Sequence, residues 1–96
     1  MSWNDEAENI LAALVQMVPE TLRELAEGAT REESEEAASA RGAQSVSADD
    51  VIRAWIRTTP PEQRDSLIAV IESLGFEPEL YVEELGSVEG WEETED

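Results

Sequence analysis

A chain of 96 residues has room for one small core, and its 41% apolar content, mostly Ala, Leu, Val and Ile, is enough to fill it. Twenty-four acids against six arginines and no lysine leave a net charge of −18, which disfavours nucleic acid and anionic membranes as partners. With neither cysteine nor histidine, disulfides, thiolate metal sites and the commonest zinc ligand and general base are excluded.

The first helix is expected to start at Asn4 or Asp5, whose side chains can accept from the free amides of a first turn. Ala7, Ile10, Leu11, Leu14 and Val18 recur at helical spacing, and Val18-Pro19 ends the pattern, because proline disfavours helical geometry in the residue before it. Pro19 then suits the start of a second helix, with a narrow apolar stripe of Leu22, Leu25, Ala26, Ala29, Ala37 and Ala40. Gly28, followed by the capping pattern Thr30-Arg31-Glu32-Glu33, marks a place where this helix could break. Glu32–Glu36 supply its solvated face, and Gly42 closes it.

Val46 is the lone apolar residue of the following loop and is expected to plug into the core. Ser47 with Asp50 three residues on forms a capping box for a third helix, whose Val51, Ile52, Trp55 and Ile56 point inward. Arg53 and Arg57 stand one turn apart, within reach of Asp49 or Asp50. Thr59-Pro60-Pro61-Glu62 reads as another cap, opening a fourth helix over about 61–74 that stops at Gly75. Leu80, Tyr81, Val82 and Leu85 suggest one more short helical segment. From Gly86 the chain is acids, glycine, serine and threonine around Val88 and Trp91, which reads as a disordered acidic tail.

The predicted fold is therefore all-α: a single domain over 1–85, with three helices around residues 10–56, a fourth behind them, and a tail over 86–96. The expected core is Leu11, Leu14, Val18, Leu22, Leu25, Val46, Val51, Ile52, Trp55, Leu67 and Ile71. Trp3 is expected to fold back over the first helix as a hydrophobic staple.

No motif carries chemistry. Glutamate pairs are too numerous to single out an acid/base dyad, there is no calcium-loop or phosphate-loop spacing, and no cofactor is expected. The acidity has two readings: a docking surface for a basic partner, or a solvated surface suited to high salt, which the absence of lysine favours. The residues named for partner contact are Trp91, an aromatic flanked by acids, with Arg53 and Arg57. The acidic start is the wrong charge for a secretory leader and no apolar run approaches a membrane span, so the expected setting is the cytoplasm.

Trp3, Ala7, Val18-Pro19, Arg23, a long helix ending at Gly42, and Val46-Ser47-Ala48-Asp49-Asp50-Val51 with Ala54 one turn later form an ordered set. Over residues 3–57 this order resembles the small helical domain at the C-terminus of the B subunit of light-independent protochlorophyllide reductase. The resemblance implies a non-catalytic accessory domain that binds another protein in a tetrapyrrole-handling, nitrogenase-like system. A second implication is a part that shapes the substrate pocket of an oxidoreductase assembly in chlorophyll biosynthesis. The long helix, glycine stop and Ser-x-Asp-Asp-Val opening also look like the second half of a histone fold, in a version that pairs with protein because its helix ends are acidic.

Overall fold

The computed structural model describes residues 2–86. Its elements are β1 (Ser2–Trp3), α1 (Asp5–Val15), α2 (Arg23–Ala40), β2 (Ser45–Val46), α3 (Ala48–Arg57), α4 (Asp65–Ser73) and α5 (Val82–Gly86). Single 3-10 turns at Glu20–Leu22, Pro61–Gln63 and Pro78–Tyr81 lead into α2, α4 and α5. α3 is the central element and packs against both α1 and α2.

α1 begins as its sequence dictates, with Asn4 Oδ1 accepting from the Ala7 amide at 2.8 Å, and it buries Ala7, Ile10, Leu11 and Leu14. It ends at Val15, one turn before the predicted Val18. The tight turns that carry the chain into Pro19 are held by Arg23, whose guanidinium donates to the carbonyls of Val18 (2.8 Å) and Gln16 (3.2 Å). Carbonyls left over at a helix end are thus satisfied by a cation, which also suits the negative end of the helix dipole.

α2 runs unbroken through Gly28, which is exposed, so neither packing nor backbone geometry asks for a break there. The stripe that α2 buries is not the predicted one. Thr30, Ser34 and Ala38 face inward at i, i+4 and i+8, and Ser34 Oγ donates to the Thr30 carbonyl at 2.6 Å. Small residues along that line let α2 sit close to the rest of the bundle. Gly42 closes the helix at φ 77°, with the Ala43 amide reaching back to the Ala38 carbonyl at 2.9 Å.

The capping box at Ser47 is formed as predicted, and α3 buries Val51, Ile52, Ala54 and Ile56. Asp50 also accepts from Arg41 at 2.9 and 2.6 Å. Thr59 does not cap the next helix. Its hydroxyl and that of Thr58 instead donate back to the Trp55 carbonyl at 2.7 and 3.1 Å, finishing α3. α4 buries Leu67 and Ile71 and stops at Gly75, φ 90°.

Three expectations need correction. The domain is mostly helical but not strictly all-α, because β1 and β2 pair in parallel, Ser2 with Ser45 and Trp3 with Val46. Trp3 is consequently no staple on α1: its indole donates to Glu35 of α2 at 3.1 Å and lies under the Arg31 guanidinium. In the core, Leu22 and Leu25 are 49% and 74% exposed, and Val18 and Trp55 are half-buried. Their place is taken in part by Tyr81, fully buried, whose hydroxyl donates to Asp49 at 2.6 Å. Leu11, Leu14, Val46, Val51, Ile52, Leu67 and Ile71 are buried as expected.

Candidate functional site

Rotating α2 so that Thr30, Ser34 and Ala38 face inward turns its leucines away from the core and over the end of α3. The result is an open groove of about 560 Å³. One wall is Met17, Pro19 and Leu22 from the α1–α2 connection with Leu25 and Ala29 from the start of α2. The other is Trp55, Thr58 and Pro60 from the end of α3, with Gln63 and Val70 from the α4 region. Leu67 and Thr30 lie at its floor, both buried.

Among the described residues, none that lines this groove is charged, although the chain is 31% charged. Each wall is placed by a local rule. Tight turns after Val15 carry the chain through Pro19 into the 3-10 turn at Glu20–Leu22, and the Thr58 and Thr59 hydroxyls close α3 on the Trp55 carbonyl. Thr30 Oγ1 is buried and has no hydrogen-bond partner, an uncommon state for a buried hydroxyl.

A second concavity, of about 320 Å³, lies between α1 and α2 and is polar. Its charged groups are already engaged: Arg31 bridges Glu8 at 2.9 Å and Glu27 at 3.1 Å, and Arg23 donates to the Val18 and Gln16 carbonyls. Among the described residues no group of three or more acids converges to hold a metal ion.

The residues singled out by sequence fall elsewhere. Arg53 is held inside the fold, donating to Asp49 (2.9 Å) and Glu84 (2.8 Å) with its guanidinium over the Tyr81 ring. Arg57 pairs with Glu33 of α2 at 3.3 Å rather than with Asp49 or Asp50. Neither lines the groove. Of the tail expected over 86–96, Gly86 is the last residue of α5, and residues 87–96, Trp91 among them, lie outside the described residues. Around Asp49, burial and then the hydrogen bond to that carboxylate push the Tyr81 phenol far above its ordinary pKa. Burial alone would raise the Asp50 carboxyl, but the hydrogen bonds from Arg41 and Ser47 outweigh it and hold its pKa below the usual carboxylate range.

Sequence reading missed the groove because it assigned Leu22 and Leu25 to the core. The signal that would have found it is the mismatch within α2, where a leucine stripe near the start and a Thr30-Ser34-Ala38 stripe point in different directions. Both cannot face one core.

Fold and site together define a small helical domain with an uncharged apolar groove. Residues 1–85 match the family described as "Protein of unknown function (DUF2621)", and the chain belongs to that family. No curated protein and no solved structure matches it. Among the described residues no helix is long and apolar enough to cross a membrane.

Proposed function

We propose that this protein is a non-catalytic helical interaction domain that binds another protein through the groove between α2 and the α3–α4 junction. One observation carries the reading: a contiguous, uncharged, apolar concavity with Leu22 and Leu25 standing in solvent, on a chain of net charge −18. Apolar patches rimmed by polar surface mark interaction sites, and removing such leucines from water is what gives a helical groove its affinity. Trp55 supplies the aromatic anchor that commonly dominates such contacts. A partner in tetrapyrrole metabolism is what the resemblance of residues 3–57 would add; the chemistry of the groove does not depend on it.

A photo-crosslinking residue at Leu25 tests the reading, with one at Leu80, also solvent-facing but outside the groove, as control. In an extract of the source organism, the Leu25 probe is expected to capture a distinct protein that the Leu80 probe does not. Once purified, that protein should bind the wild-type chain and not the Leu22→Ser/Leu25→Ser variant. Identical adducts from both positions, or binding indifferent to the serines, would remove the groove from consideration.

A further inference from the structure

Resting on that reading, we infer that the occupant of the groove is an amphipathic helix of a partner protein, apolar along one face and basic at one end. The face that carries Leu22, at the N-cap of α2, with Leu25 and Ala29 into the groove continues along α2, at the same three- and four-residue spacing, with Glu32, Glu33 and Glu36. Glu32 and Glu36 are exposed, and Glu33 is matched by Arg57. At about 1.5 Å per residue, the stretch from Leu22 to Ala29 extends roughly 10 Å along the axis and the glutamate stretch from Glu32 to Glu36 roughly 6 Å. A helix of about 14 residues lying against α2 would therefore meet apolar surface for its first half and negative charge for its second.

Charge complementarity selects among occupants. A second copy of this chain would bring a net charge of −18 and no lysine to the glutamates of α2, and would be repelled. Residues 87–96 of the same chain offer five acids and no cation, and meet the same repulsion. A helix with lysines or arginines at one end gains attraction at the α2 glutamates and buries its apolar half against Leu22, Leu25 and Trp55. That division of labour fixes orientation as well as partner class, since the reversed helix places cations on apolar surface.

The test uses the full chain and three synthetic helical peptides of about 18 residues. One has leucines along a single face and lysines clustered at one end, the second replaces those lysines by glutamine, and the third shuffles the first so that the apolar face is lost. Binding is read by fluorescence anisotropy at about 0.1 M salt, where exposed charges still act over roughly 10 Å. The Leu/Lys peptide is expected to bind best, the Leu/Gln peptide about tenfold more weakly, and the shuffled one not measurably. Glu32→Gln/Glu36→Gln should weaken only the Leu/Lys peptide, by about three- to tenfold, because exposed charge pairs are individually modest. Leu22→Ser/Leu25→Ser should abolish both. All four positions are exposed, so circular dichroism should show the fold intact in each variant.

Equal binding of the Leu/Lys and Leu/Gln peptides, with the glutamine variant silent, would overturn the basic partner while leaving the groove as a docking site. Equal binding of the shuffled peptide would overturn both readings. A dimer in sedimentation that the serine variant splits would assign the groove to a second copy and overturn the inference.

Discussion

At the scale of single residues, two buried polar groups show opposite states. Thr30 Oγ1 has no partner, while the carboxylate of Asp50 accepts from Arg41, from the Ser47 amide at 2.9 Å and from the Ser47 hydroxyl at 3.1 Å. A buried hydroxyl without a hydrogen bond is a net cost, so Thr30→Val, which keeps the shape, is expected to raise stability by up to about 1 kcal/mol in denaturant unfolding. A loss of stability would mean that the hydroxyl is satisfied after all. Asp50→Ala removes half of the capping box and is expected to cost about 1–3 kcal/mol. The sign of the pH dependence follows from its lowered pKa. The stabilisation is complete above the ordinary aspartate range and is lost as pH falls through the still lower folded-state value. The acid side of the stability curve should therefore flatten in Asp50→Ala relative to wild type; parallel curves would show that Asp50 does not set it.

At the scale of elements, burial separates leucines that look alike in the sequence. Leu14 of α1 is 2% exposed and Leu25 of α2 is 74% exposed. Leu14→Ala is expected to cost about 2–5 kcal/mol, against less than about 0.5 kcal/mol for Leu25→Ser, both read as shifts in the denaturant midpoint. Comparable losses would return Leu25 to the core. The helix ends at Asn4, the Ser47–Asp50 box, Gly42 and Gly75 were legible because they rest on chemistry within a turn or two of themselves, whereas Val18-Pro19 and Thr59 misplaced the end of α1 and the start of α4. The facing of α2 was not legible, because two competing stripes are arbitrated only by what α1 and α3 present to them, and the small Thr30-Ser34-Ala38 line won by closeness of approach. Tyr81 was underrated for a similar reason. Its partners, Asp49 and Arg53, lie on another helix far back in the chain. The candidate site, which lives where α2 turns away from the core, was missed for the same cause, its one readable trace being the divergence of the two α2 stripes. The strand pair was unreadable too, being two residues long on each side and lacking any alternating pattern.

At the scale of the whole molecule, 24 acids outnumber six arginines, and among the described residues the pairs of Arg41 and Arg53 are partly buried while those of Arg31 and Arg57 are largely exposed ion pairs. Such pairs contribute little, whereas the excess acids repel one another throughout the surface. Raising sodium chloride to about 1 M shortens the screening length to roughly 3 Å, and the melting midpoint is expected to climb with it. A flat or falling midpoint would show that the acidic surface is not under electrostatic strain. The parallel pairing of Ser2–Trp3 with Ser45–Val46 has a kinetic side. It joins two segments separated by the whole of α1 and α2, so closing that loop costs least entropy once the intervening helices stand in place. The ladder thus zips late and opens early, a latch fastened after the bundle has assembled. Trp3→Ala should accordingly hasten unfolding in stopped-flow measurements while leaving the refolding rate nearly unchanged. The bundle would then lose its persistence rather than its ability to form.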